Sequence, residues 1–185
     1  MVVDLRKCIG CHACTVVCKV ENNVPKAKFR TWVEESETGE FPNVTRYFLP
    51  VLCNHCDNPP CTRVCPVKAT YKREDGIVVI ERDTCIGCAR CVKACPYKAR
   101  FIEIDMVKDK KTRTADKCTF CTHRIDKGLL PACVESCVGH ARVFGNLNDP
   151  DSEVYKIIKT NRPKVLKGHL KTNPRVFYIG LIDVL

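Results

Sequence analysis

The sequence predicts an α+β fold: two small, loop-rich modules of short strands and short helices, followed by a C-terminal helix and an extended tail. Three observations carry that expectation. The 185 residues include 16 cysteines, and these sort into four groups of closely related spacing. Short apolar runs of strand character flank the groups. A capped run with apolar residues at helical spacing follows the last of them. A chain of this length makes one compact domain or two small ones.

The groups are Cys8, Cys11, Cys14 and Cys18; Cys53, Cys56, Cys61 and Cys65; Cys85, Cys88, Cys91 and Cys95; and Cys118, Cys121, Cys133 and Cys137. Each opens with C-x2-C and closes with C-x3-C, and only the middle gap varies, at two, four, two and eleven residues. No cysteine is left over. So high a cysteine share in a short secreted chain would point to a disulfide scaffold, but disulfides do not require triplets. Zinc wants two C-x2-C pairs per ion and leaves the third and fourth cysteine of each group without a role. An iron–sulfur cube uses them all: the first three cysteines wrap one face of it, and the fourth, on the helix that follows, ligates the other cube of a pair. Pro66 and Pro96, directly after Cys65 and Cys95, are the last letter of that bacterial pattern. Four [4Fe-4S] clusters are the expected cofactors.

The elements follow in order. "RYFLPVL" (46–52), "GIVVIE" (76–81), "RFIEI" (100–104) and "ARVFG" (141–145) read as short strands around the second, third and fourth groups. Between strands comes a ligand loop and then a short helix. This unit is half of a ferredoxin, used four times, so the two modules are expected to be ferredoxin-like. The inner one spans 53–96; the outer is discontinuous, 1–52 with 97–148; and 149–185 forms the terminal helix and tail. Asp149 as N-cap and Pro150 in the first helical position predict a helix over 150–159.

Ligation can be read partway. The second and third groups share the Cys-Pro ending and a short strand-like connection, as the halves of a two-cluster ferredoxin do. Cys53, Cys56 and Cys61 would then take Cys95, and Cys85, Cys88 and Cys91 would take Cys65. By elimination Cys8, Cys11 and Cys14 take Cys137, and Cys118, Cys121 and Cys133 take Cys18. A competing scheme pairs sequence neighbours, the first group with the second and the third with the fourth. The spacings favour the first scheme without closing the second.

Lys and Arg outnumber Asp and Glu by 31 to 21, a net charge of +10. Four thiolates around an oxidised cube carry about −2, so four such sites would cancel most of the excess. No stretch interleaves basic and aromatic residues as a nucleic-acid-binding surface does, and no nucleic-acid partner is expected. The first residues lack the basic and apolar regions of a secretory signal, and no run of about 18 apolar residues predicts a membrane span. No nucleophile–base pair, phosphate loop or paired carboxylates appear. The chemistry expected is electron transfer, with no catalytic residue and no small-molecule substrate of the chain's own.

His12, His55 and His123 lie in or beside the loops, where a ring N–H could donate to a sulfur; packing or solvation is the commoner role. Gly10 and Gly87 would allow close backbone approach to a cluster. Lys7, Lys19, Arg63, Arg90, Lys93, Lys117 and Arg124 could favour reduced clusters or form a solvated face. Segments 19–52 and 122–132 exceed what cluster binding needs and are candidate partner contacts.

The four groups, with "LCNHCDNPPC", "CPVKATYKREDGIV", "DTCIGCARCVKACPY" and "DKCTFCTHRIDKGLLPACVESCVGHARVFGNLNDP", resemble the four-cluster iron–sulfur subunit of the dimethyl sulfoxide reductase family of molybdopterin oxidoreductases. The likeness covers about residues 1–160 and is greatest to the polysulfide, thiosulfate and tetrathionate reductase branch. It implies the inner-with-inner, outer-with-outer pairing. Cys61, a tryptophan in some members, implies that all four clusters are [4Fe-4S]. It also implies two partners: a catalytic subunit with a molybdenum or tungsten pterin cofactor, and an integral membrane subunit that handles quinone. The expected location is a membrane-associated respiratory complex, as a peripheral subunit on the outer face through co-export or on the cytoplasmic face, not independently secreted. The alternatives are a free polyferredoxin and the electron-transfer subunit of a formate dehydrogenase or hydrogenase.

Overall fold

The structure, a computed structural model, describes residues 1–107 and 110–181. Its regular elements are short: β1 (Val2–Asp4), α1 (Ala13–Glu21), β2 (Thr31–Thr38), β3 (Thr45–Leu52), α2 (Pro60–Arg63), β4 (Thr70–Lys72), β5 (Val78–Ile80), α3 (Arg90–Lys93), β6 (Phe101–Val107), β7 (Lys110–Asp116), α4 (Thr122–Ile125), α5 (Ala132–Glu135), β8 (Arg142–Val143), α6 (Glu153–Asn161) and β9 (Phe177–Ile179). This is an α+β arrangement with much of the chain in loops.

Among the described residues, three antiparallel strand pairs and one mixed sheet organise it. β2 pairs with β3, β4 with β5 and β6 with β7, all antiparallel. β1 lies between β8, antiparallel, and β9, parallel. That sheet closes the N-terminal segment onto the region after the fourth cysteine group. α1 packs on α5, and α2 on α3, so the helices of the first and fourth groups meet, as do those of the second and third.

The expected strands at 46–52, 76–81, 100–104 and 141–145 coincide with β3, β5, β6 and β8. Two expectations need correction. The terminal helix begins at Glu153, with Ser152 in the N-cap position but making no side-chain capping bond. Asp149 instead makes a turn, its carboxylate accepting the Asp151 N–H at 2.9 Å, so Pro150 lies outside the helix. The tail is extended as expected, but it is part of the interior: Val176 and Tyr178 are 0% exposed, and the Tyr178 hydroxyl donates to the Pro50 carbonyl at 3.0 Å. Strand β9 is only three residues long and pairs with β1 at the other end of the chain, so no local periodicity announces it.

The main core joins Val3, Val33, Leu49, Val51 and Tyr178 to Ile77, Val79 and Ala99, and Cys14, Cys53, Cys118 and Cys133 are part of it. A second cluster holds Cys61, Val78, Cys91 and Ala115. Sulfur atoms occupy places that aliphatic side chains fill in other small domains.

Candidate metal centres

One backbone device recurs in all four groups. The residue before the second cysteine has a left-handed conformation: Gly10 (φ 69°), His55 (41°), Gly87 (64°) and Phe120 (55°). This bend turns the loop back on itself. The third cysteine then lies in a helix, Cys14 in α1, Cys61 in α2, Cys91 in α3 and Cys133 in α5. The fourth lies within α1 (Cys18) or just beyond the shorter helices. Three residues after Cys65, Cys95 and Cys137, a second left-handed residue follows: Lys68, Lys98 and His140. Their N–H groups donate back to those cysteines' carbonyls at 3.3, 3.2 and 2.9 Å.

Three compact cavities result. The first is lined by Cys8, Cys11, Cys14 and Cys137, the second by Cys18, Cys118, Cys121 and Cys133, and the third by Cys53, Cys56, Cys61 and Cys95. The atom-free space in and at the mouth of each is similar, about 350, 290 and 310 Å³ in that order. The remaining four cysteines are placed differently. Cys91 is buried in the second core cluster with Cys85 packed against it. Cys88 is exposed, and Cys65 lines an open groove with Arg63, Arg90 and Lys93. Among the described residues no group of His, Cys, Asp or Glu is close enough to hold a single metal ion. The sulfurs surround space rather than a point.

The donor set fits [4Fe-4S] clusters. All 16 cysteines are free thiols, and the three cavities are lined by sulfur without a carboxylate; the one imidazole among their linings, His12, is turned to Glu35. Burial raises the Cys18 and Cys56 thiols to about 12 and pushes Cys118 well up. Thiolates in such places require a cationic partner, and metal coordination drives off the protons. Protein N–H groups already point at sulfur: those of Phe120, Ala141 and Ala115 lie 3.3 Å from Cys118, Cys137 and Cys85. A [4Fe-4S] cluster bound there supplies a one-electron couple.

The cavities adjoin one another. Cys133 of the second is within electrostatic reach of Cys14 of the first, and Cys118 of the second within reach of Cys53 of the third. Cys61 of the third shares a core cluster with Cys91.

The structure sorts the other candidate residues. His12 contacts Glu35 at 3.0 Å and His123 contacts Glu21 at 2.7 Å, so both rings meet carboxylates. His55 is buried and stacks on Phe120 at 3.7 Å between centroids, and its Nδ1 accepts the Val78 N–H at 3.2 Å. These two rings occupy the bend that glycine fills in the other groups, and packing rather than sulfur contact explains them. Gly10 and Gly87 answer to protein neighbours: a Cβ would lie 2.3 Å from the Phe48 ring at Gly10 and 2.5 Å from the Arg113 carbonyl oxygen at Gly87. Lys19 folds onto the Pro25 and Lys28 carbonyls. Arg124 ties Glu21 on α1 to Glu135 on α5. Lys117 is wholly buried; burial lowers its ammonium, and the sulfurs of Cys53, Cys118 and Cys61 oppose that shift.

Asn22 carries no signal in the sequence. Its amide lies 3.7 Å from both Cys18 and Cys121 sulfurs. Arg30 holds the amide oxygen at 2.8 Å and is itself paired with Asp116 at 2.8 Å. Thr172, in the tail, hydrogen-bonds Cys56 and lies 2.5 Å from the Tyr97 hydroxyl. These partners are distant in sequence, so no spacing could reveal them. Arg100 and Arg142 are further residues that sequence reasoning passed over, although each follows a closing cysteine by five residues, after Ala, in "CPYKAR" and "CVGHAR".

Comparison with known proteins decides the family. Two families described as 4Fe-4S dicluster domains match residues 44–147 and 7–69. The sequence is 54% identical to a tetrathionate reductase subunit of Salmonella typhimurium, over 99% of this chain and 72% of that protein. The chain belongs to the iron–sulfur subunits of the dimethyl sulfoxide reductase family. It is 47% identical to a tetrathionate reductase subunit of Archaeoglobus fulgidus, over 99% of this chain and 82% of the relative. Against the arsenate respiratory reductase iron–sulfur subunit of a Shewanella species the identity is 38%, over 100% and 97%. Subunits of this kind transfer electrons within a reductase complex and leave substrate turnover to another chain, and this iron–sulfur subunit does the same with 4Fe-4S clusters. Among its described residues no helix is long and apolar enough to cross a membrane.

Proposed function

We propose that the subunit holds four [4Fe-4S] clusters in a line and relays single electrons along them. The first is ligated by Cys8, Cys11, Cys14 and Cys137, the second by Cys18, Cys118, Cys121 and Cys133, the third by Cys53, Cys56, Cys61 and Cys95, and the fourth by Cys65, Cys85, Cys88 and Cys91. What carries this reading is that three of these sets each line a cavity of similar size and that Cys14, Cys118, Cys133 and Cys53, drawn from all three, share one core cluster. For the fourth, support comes from the packing of α2 on α3 and from Cys91 beside Cys61. The same packing favours residues 53–96 as one ferredoxin-like unit and 1–52 with 97–148 as the other.

The line has two accessible ends. Cys11 and Cys88 are the exposed cysteines, one at the first site and one at the fourth. One end would face a molybdopterin catalytic subunit and the other a quinone-handling membrane subunit, on either face of the membrane. The 54% identity to a tetrathionate reductase subunit favours an inorganic sulfur compound as terminal substrate. Anaerobic purification of the native complex tests the whole reading. About sixteen iron and sixteen sulfide per chain are expected, with a pterin-bearing polypeptide co-purifying and quinol-dependent tetrathionate reduction. A lone monomer with that iron content would favour the polyferredoxin instead, and half the iron would remove two of the sites.

A further inference from the structure

Three cations lie in the interior without a carboxylate. Arg142, Lys117 and Arg100 are 3%, 0% and 4% exposed. Among the described residues none of them forms an ion pair with Asp or Glu, whereas the partly buried Arg30 is matched to Asp116. Their neutral partners are few. Arg100 donates to the Thr70 hydroxyl at 3.2 Å, Arg142 to the Thr31 hydroxyl at 3.1 Å, and Lys117 to the Val78 and Cys118 carbonyls. An uncompensated charge is expensive to bury, so the compensating charge has to come from elsewhere, and the remaining neighbours are sulfurs.

Each cation stands at a different boundary. Arg142 lines the first cavity and donates to Cys133 of the second at 3.5 Å. Lys117 donates to the carbonyl of Cys118 in the second set and to that of Val78, which lines the third cavity. Arg100 lines the third cavity and donates at 3.0 Å to Cys61, which shares a core cluster with Cys91 of the fourth set. Three boundaries separate four sites, and each has one buried cation.

We propose that Arg142, Lys117 and Arg100 are junction cations that hold the reduction potentials of the clusters on both sides of each step above the values two adjoining anionic sites would have. The proposal rests on the four-site reading above. A filled site carries about −2, and one more electron beside an anionic neighbour is disfavoured strongly where water is excluded. A fixed positive charge between two sites offsets that repulsion for both, so the step stays close to level whichever way the electron moves.

Potentiometric titration followed by electron paramagnetic resonance, on the intact complex, tests this junction by junction. Arg100→Gln lowers the third and fourth clusters and leaves the first and second in place. Lys117→Gln lowers the second and third, and Arg142→Gln the first and second. At a fixed potential the reduced-to-oxidised ratio of each affected cluster falls about tenfold or more. Arg100→Lys, Lys117→Arg and Arg142→Lys keep the charge and return the potentials toward wild type, which a purely structural role would not require. Any one iron-replete neutral variant decides the matter. Four unmoved potentials, or four that shift together, would overturn the junction cations while leaving the four sites standing. Fewer than four titrating clusters in the wild type would overturn the four-site reading itself.

Discussion

The outer half, built on the first and fourth cysteine groups, and the inner half, built on the second and third, share their local construction and differ in what surrounds it. In both, a left-handed residue precedes the second cysteine, the third cysteine lies in a helix, and an arginine five residues beyond a closing cysteine bonds a threonine: Arg142 with Thr31, Arg100 with Thr70. Around the outer half, α1 runs on past Cys18, the β2–β3 hairpin supplies core residues, and β9 lies beside β1. The inner half has the four-residue helices α2 and α3 and the three-residue strands β4 and β5, and its Cys65 opens on a basic groove. Cysteine spacing sets the shape of a site, and the segments between groups set its enclosure. Segment 19–52, which exceeds cluster binding, and strand β9 build the wall of the outer half, while the tail before β9 also reaches the inner one, where Thr172 lies against Tyr97 and Asp57 and Asn58 bond its backbone.

Removing that wall should have the largest effect. Tyr178→Ala deletes a fully buried ring and its bond to Pro50, a change that costs about 3–5 kcal/mol in comparable cores. The thermal unfolding midpoint of the iron-loaded protein should fall, and iron should leave the Cys8 and Cys118 sites before the Cys53 and Cys85 sites. Uniform loss from all four would erase the distinction between halves.

The two "CIGC" loops give a sharper, smaller contrast. Both Gly10 and Gly87 have positive φ, but an added Cβ meets a side-chain ring at Gly10 and a backbone carbonyl at Gly87. A ring can swing aside and a hairpin backbone cannot. Gly87→Ala should therefore cost about 1–3 kcal/mol and exceed Gly10→Ala in the same melting experiment. The reverse order would mean that the Phe48 ring is the less yielding neighbour.

The smallest effect belongs to the open groove. Lys93 lines it beside Cys65, so Lys93→Glu should lower the potential of the nearby cluster slightly, and the shift should shrink as salt rises. A shift indifferent to ionic strength would place the charge in a drier setting than the groove provides.

How much of this was legible depends on the range of the cause. The ligand loops, the short helices and strands β3, β5, β6 and β8 follow from spacing and strand-like runs a few residues long. The β1–β9 pairing, the burial of Tyr178 and the Asn22–Arg30–Asp116 chain join segments far apart, and each residue alone looks ordinary. Arg100 and Arg142 lie between these cases. Their shared register after Cys95 and Cys137 was visible, but a buried arginine without a carboxylate partner is recognised only once the sulfurs are seen around it. The helix starts after Ser152 rather than Asp149 because the Asp149 side chain closes its own turn on Asp151.

The central claim is that each site is completed by a sulfur from a different group, and serine substitution at a fourth cysteine tests it most directly. Cys137→Ser and Cys8→Ser should perturb the same electron paramagnetic resonance signal, although they lie at opposite ends of the cysteine pattern, while the signal altered by Cys133→Ser is a different one. If Cys137→Ser instead alters the signal that Cys133→Ser alters, each group closes its own site and the account fails.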